Sequence, residues 1–164
     1  MRLQFELEIS QNPALGAMAL WQFSRAYFDT AGKTEGPTLP LTLIVLPMVF
    51  HRRTTAAIFR MKSASGIWKA LGDHPEIPAG LQARVESSLD LTLDSLDIAL
   101  ASCLLDVDRA NPWPRYTPIR KSLPRELSIA PADVKQILAA AQRLGWWLVD
   151  QNLSTVLRRL YVRL

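Results

Sequence analysis

Leu39–His51, reading Leu-Pro-Leu-Thr-Leu-Ile-Val-Leu-Pro-Met-Val-Phe-His, is the most apolar run in the chain. It is too short to cross a bilayer, which takes about 20 apolar residues, and its two prolines weigh against a plain spanning helix. Ile44-Val45 would suit a strand, but Pro40 and Pro47 would disrupt a central ladder. The run is therefore read as a short core helix from about Leu41 to Phe50, kinked at Pro47. Buried on all sides, it is the element against which the amphipathic segments are expected to pack.

Composition allows that core. The chain has 164 residues, of which 49% are hydrophobic and 21% charged, and a net charge of +4. Those values fit one globular domain. The mild basic excess permits nucleic-acid contact without arguing for it. With one cysteine, Cys103, there is no internal disulfide; inside an apolar helical pattern its thiol is expected to be buried. The N-terminus carries no continuous apolar run of the signal-peptide kind. Together with the lack of disulfides, that makes a cytoplasmic location the default expectation.

Upstream of the apolar run, Leu3, Phe5, Leu7 and Ile9 alternate with Arg2, Gln4, Glu6 and Glu8. This period of two reads as a half-buried strand, or as an arm that orders on a partner. Asn12-Pro13 is a helix start, and the helix runs to about Thr30, apolar nearly all round. Gly32–Pro37 is a loop. Its Gly-Lys-Thr is not a phosphate loop, because the required glycine position is occupied by Tyr27.

Downstream, Thr54 or Thr55 is expected to cap a helix reaching Met61 or Lys62. A short turn leads into Gly66–Leu71, a pairing similar to a helix-turn-helix. Arg52, Arg53, Arg60, Lys62 and Lys69 make this region basic; the first four are candidate DNA contacts. A single long helix is expected over about 79–104, with Leu81, Val85, Leu89, Leu93, Leu96, Leu100 and Leu104 as its buried stripe. Glu86, Asp90, Asp94 and Asp97 form an acidic column on it, facing water or a basic partner. Residues 104–121 read as a β-hairpin, which after a long helix fits a winged-helix arrangement. Arg109, Trp113, Arg115, Tyr116, Arg120 and Lys121 gather there, a mixture suited to a protein interface or to nucleic acid. Pro131 starts another helix, with Val134, Ile137, Leu138, Ala141, Leu144 and Leu148 facing the core. Gly145 is expected to admit a close helix, with Trp146 and Trp147 filling the space around it. Asn152 or Ser154 begins a last helix, and the alternating tail Leu160–Leu164 is a candidate partner for the N-terminal strand.

No catalytic constellation emerges. His51 is expected to bond a helix-end carbonyl, and His74 lies in a loop. Zinc-ligand spacing, a nucleophile elbow and a dinucleotide-binding glycine loop are missing from the sequence. Asp106 and Asp108 read as a polar turn. No cofactor or metal is expected.

Several segments together resemble a known family. They are Asn12-Pro13 with Leu15, Leu20, Phe23 and Tyr27; Leu39-Pro40-Leu41 and Leu46-Pro47 ending in His51; Trp68; the leucine-rich helix; and Arg143-Leu144-Gly145-Trp146-Trp147. In this order they are similar to the middle component of bacterial three-component ABC-ATPase conflict systems, to which Lamassu-type anti-phage systems are related. The chain departs from the pattern after His51, where Arg53-Thr54-Thr55 stands in place of a Thr-Arg pair. The resemblance implies a non-enzymatic, membrane-free adaptor between an SMC/Rad50-like ABC ATPase and an effector, with at most weak DNA contact. The competing reading is a stand-alone winged-helix DNA-binding regulator. The expected architecture is a single, mainly α domain with a small hairpin and a winged-helix-like character. It divides into a strand or arm (1–10), a helical core (12–106), a hairpin or wing (104–121) and C-terminal helices with a tail (131–164).

Overall fold

The computed structural model describes residues 11–109 and 112–164; the proposed N-terminal strand, and with it the strand's pairing to the tail, lies outside them. Asn12 starts the first helix, α1 (Pro13–Thr30), as its type suggests. Its Oδ1 accepts from the backbone N–H groups of Ala14 (3.0 Å) and Leu15 (3.1 Å), donors that no carbonyl within the helix can reach.

The apolar run is helical, as α2 (Leu39–Val49). It starts two residues earlier than expected because Pro40 occupies the first turn, where a missing N–H costs nothing. Pro47 lies in the last turn, and the helix continues through it. The α2 helix touches α1 and four elements described below: α3, α5, α6 and α7. Ile44, Val45, Leu46 and Met48 are all buried, as a central element requires.

The next helix, α3 (Arg52–Arg60), begins before either threonine. His51 is its N-cap residue; Thr54 and Thr55 sit inside the first turn, correcting the expected cap. Thr55 turns its hydroxyl back to the Val49 carbonyl and ties α3 to α2. A 3-10 turn (Ser63–Ser65) leads to α4 (Ile67–Asp73).

The expected long helix is two helices, α5 (Leu81–Ser87) and α6 (Leu89–Ala101). The break is at Ser88. The Ser87 and Ser88 hydroxyls both donate to the Arg84 carbonyl, at 3.3 and 2.6 Å, and such back-bonding bends helices. The leucine stripe does not stay buried. Each step of four residues advances about 40° round a helix, so Leu89 (40% exposed) and Leu93 (43%) drift outward. Thr92, Ser95, Leu96 and Ala99 face inward instead. Small residues are needed there because α1 comes so close: a Cβ on Gly16 would lie 2.1 Å from Ser95 Oγ.

Cys103 is exposed, not buried. It occupies the left-handed turn that ends α6 (φ 55°), with Leu104 N–H bonded to the Ala99 carbonyl at 2.9 Å, the Schellman pattern. The hairpin follows, β1 (Leu105–Asp108) antiparallel to β2 (Arg115–Pro118), with Leu105 opposite Pro118 and Val107 opposite Tyr116. The other edge of β2 is held by the loop before α2: Leu39 N–H donates to Pro114 O (2.9 Å), and Tyr116 N–H to Pro37 O (3.0 Å). A Cβ on Gly36 would strike the Tyr116 carbonyl at 2.0 Å, so only glycine lets that loop lie so close.

After a 3-10 turn (Arg125–Ile129) come α7 (Ala132–Leu148) and α8 (Leu153–Arg159). The α7 helix packs along α1, and Gly145 is where they meet: a Cβ there would lie 2.5 Å from Phe23 O and 2.9 Å from Tyr27 N. Trp147 is buried beside it and donates from Nε1 to Ser63 O at 2.8 Å. Trp146 is exposed and does not share that packing role. Asn152 caps α8 through Thr155 N–H at 3.1 Å. The tail docks on α5, where Gln82 accepts from Arg163 N–H (2.8 Å) and donates to Arg163 O (3.1 Å).

Candidate interaction surfaces

Several arginines that look like free surface charge in the sequence act inside the fold. Arg84 Nε donates to Pro47 O at the end of α2 (3.2 Å). Its two terminal nitrogens donate to Ala79 O (2.9 Å) and Ile77 O (3.3 Å). Burial lowers its pKa, though a guanidinium stays charged. Arg143, on α7, donates to Ile58 O (3.2 Å) and Phe59 O, the open carbonyl end of α3, and lies 5.2 Å from the Phe59 ring centroid. Nothing in residue type or spacing separates these residues from solvated charges, so sequence reasoning missed both roles. Trp68, singled out in the resemblance, donates to Gln151 Oε1 (2.7 Å) under the Arg159 guanidinium.

The six candidate residues of the hairpin divide. Arg115 is spent internally: Nη1 donates to Gly36 O (2.9 Å), and Nη2 pairs with Glu35 (3.5 Å). It also lowers the pKa of Tyr27, against the larger upward push of burial. Tyr116 is buried, and burial, reinforced by Asp97, raises its pKa. Tyr116 presents no free surface, while Arg115 stays half-buried with its guanidinium engaged. Arg109, Trp113, Arg120 and Lys121 are exposed around the hairpin, and Ile119 stands among them.

In the basic region Arg52, Arg53, Arg60 and Lys62 are exposed, whereas Lys69 is paired with Asp73 at 2.9 Å. Phe59 beside Arg60, and Trp146 one turn beyond Arg143, add exposed aromatic surface on α3 and α7. His51 does not bond a carbonyl as expected; its Nδ1 lies 2.9 Å from Thr54 Oγ1. Burial, then Arg84 and Arg53, lower its pKa.

The expected acidic column is divided by the break at Ser88: Glu86 lies on α5, and Asp90, Asp94 and Asp97 lie on α6. Glu86, Asp90, Asp94 and Asp97 are all exposed. Glu86 accepts from Gln82 (2.6 Å); among the described residues the three aspartates make no salt bridge. No group of acidic, histidine or cysteine side chains that could hold a metal was found among the described residues. Asp106 and Asp108 lie exposed on β1.

These surfaces belong to a chain whose full described length matches one family model, that of the ABC-three component system Middle Component 3, over residues 2–164. The chain belongs to that family. Comparison with curated proteins and with solved structures gave no match. As a middle component, the chain is one part of a system whose other parts include an ABC component, so partner components are implied. The segment Arg143–Trp147 acquires a physical meaning: Arg143 caps α3, Gly145 admits α1, and Trp147 holds the turn before α4. Among the described residues no helix is long and apolar enough to cross a membrane.

Proposed function

We propose that this middle component is a non-catalytic, cytoplasmic adaptor. It links an SMC/Rad50-like ABC ATPase to an effector in a bacterial anti-phage defence complex. The observation that carries this reading is the presence of two exposed surfaces of opposite chemistry on one shared support. One is α6, acidic and leucine-bearing. The other is the basic and aromatic surface of Arg60, Lys62, Phe59 and Trp146 on α3, its following turn and α7. Both rest on α2, which contacts α3, α6 and α7, so a load on one reaches the other through close-packed side chains.

The winged-helix regulator is the weaker reading. The helix leading into the hairpin is α6, and its outward Asp90, Asp94 and Asp97 would repel the phosphate backbone that dominates DNA affinity. Arg115, a natural choice for a phosphate contact, is held by Glu35 and Gly36.

Co-expression of all three components, with a tag on the ABC component, tests the proposal. The middle component and the effector should both be retained, and omitting the middle component should release the effector. Retention of the effector without it would refute the linking role.

A further inference from the structure

Charge is segregated along this chain. Residues 36–72 hold five Lys and Arg and no acid, and residues 85–108 hold six acids and no Lys or Arg. Each stretch sets charges on the outward side of one helix. On α3, Thr54, Thr55, Ala57 and Ile58 are buried, and Arg53 and Arg60 stand exposed on the opposite side. On α6, Thr92, Ser95, Leu96 and Ala99 are buried, and Asp90, Asp94 and Asp97 stand exposed opposite them. Arg53 and Arg60 are seven residues apart, as are Asp90 and Asp97. Seven residues make two helical turns, so each pair lies along one side of its helix and spans about 10 Å. An exposed apolar side chain borders each row. On α3 it is Phe59 (39%), with the Arg143 guanidinium 5.2 Å from its ring centroid; on α6 it is Leu93 (43%).

We propose that the two rows are the halves of one interface, through which a second copy of this chain docks head to tail on the outer face of α3. The match in charge and spacing selects the occupant. The arginine row of one copy meets the aspartate row of the next, and equal spacing lets both ion pairs close at once, which fixes the register of the contact. Phe59 and Leu93 supply apolar contact at its margin. Both rows are exposed within a single molecule, so they meet only between copies. A two-fold contact of like rows would set aspartate against aspartate or arginine against arginine. The contact is therefore heterologous, and it builds a ring or an open row of copies according to its rotation. An open row keeps one free arginine row and one free aspartate row at its ends, the two kinds of surface the adaptor uses. A nucleic acid would neutralise the basic row and leave the equal spacing of the aspartates unused.

Sedimentation velocity and light scattering on the full chain test this. The wild-type mass should rise with protein concentration and fall as salt screens the pairs. R53E/R60E and D90K/D97K alter exposed positions only, and circular dichroism with thermal melting checks their folding. Each alone should weaken self-association at least about tenfold, because like charges then face each other. R120E/K121E, which reverses exposed charge at the hairpin, should leave it unchanged. Mixing R53E/R60E with D90K/D97K should restore association, since the intact arginine row of one variant meets the intact aspartate row of the other. A wild-type chain that stays monomeric at every concentration, variants that associate like the wild type, or a mixture that does not recover would each overturn the proposal. So would a monomeric wild type that binds a single-stranded oligonucleotide through Arg53 and Arg60, which would give the basic row to nucleic acid. Retention of the ABC component and effector in the co-expression test is read separately, so failure here leaves the adaptor reading standing.

Discussion

Replacing Gly145 with alanine tests the central packing of the molecule. In an exposed helix the change would stabilise, because glycine costs roughly 1 kcal/mol relative to alanine in a helix interior. Here the new Cβ would stand 2.5 Å from Phe23 O, 2.7 Å from Ala26 Cβ and 2.9 Å from Tyr27 N. Two of the three are backbone atoms of α1, so no rotamer change can relieve them. The helices must separate by about 1 Å, which forfeits roughly a quarter to a half of the attraction of each contact along the seam. Overpacking of this kind costs about 3 kcal/mol at the upper end of its usual range. Set against the propensity gain, G145A should lose about 2 kcal/mol, lowering Tm by about 4–8 °C for a chain this size. Urea denaturation followed by circular dichroism would measure it. G72A is the matched control: Gly72 lies in α4 with nothing within 4 Å of a built Cβ, so it should gain up to about 1 kcal/mol. If G145A proves as stable as the wild type, the close approach of α1 and α7 is not as described.

Substitutions at three further positions and one pH profile probe other parts of the fold. R84M should cost about 2 kcal/mol in urea melts, since it leaves the carbonyls of Pro47, Ala79 and Ile77 without their charged donor; R84K should not rescue, because lysine lacks the planar fork. T92V should stabilise by about 1 kcal/mol, because Thr92 Oγ1 is buried without a hydrogen-bond partner among the described residues. D94K should raise Tm by about 2 °C, turning the repulsive pairs with Asp90 and Asp97 into attractive ones. His51 has a lowered pKa in the fold, so the unfolded chain takes up the proton first; stability present above the unfolded value of about 6.5 should fall as pH drops below it. Thermal melts should show a smaller pH dependence in H51N, and an unchanged profile would refute this role.

The elements best marked in the sequence are those whose signals are local. Asn12-Pro13 and Asn152 start helices because their side chains reach backbone donors two or three residues away. The apolar run reads as a core helix because it has no polar face to present. The residues that escaped notice act at a distance. Ser88 ends a helix by bonding the Arg84 carbonyl, but serine in an amphipathic pattern is otherwise unremarked. Cys103 takes a left-handed conformation that usually calls for glycine, so its type pointed to the core and its backbone placed it outside. Arg84, Arg115 and Arg143 each hold carbonyls that become available only when separate segments meet. Of the candidate surface, Asp90, Asp94 and Asp97 were legible because spacing within one helix groups them, whereas the break at Ser88 puts Glu86 on a separate helix. The division of the hairpin into Arg115 and Tyr116, held inward, and Trp113, Arg120 and Lys121, held outward, depends on the loop of Glu35–Thr38, far away in sequence.

The internal use of arginines also changes the electrostatic balance of the surface. Arg84, Arg115 and Arg143 spend their donors on carbonyls and Glu35, so part of the chain's positive charge is tied to its framework. No base lies within 85–108 to offset the column on α6. A helix selected for stability alone would interleave lysines with its acids and gain from each pair. Asp90, Asp94 and Asp97 set like charges three and four residues apart, and Leu89 and Leu93 leave apolar surface in water. Each of these features has a stability cost, and all fall on one face. D94K therefore separates two explanations. If the face served only solubility, the variant would be more stable and would bind its partners unchanged. If the face is for docking, the same substitution that strengthens the fold weakens the complex.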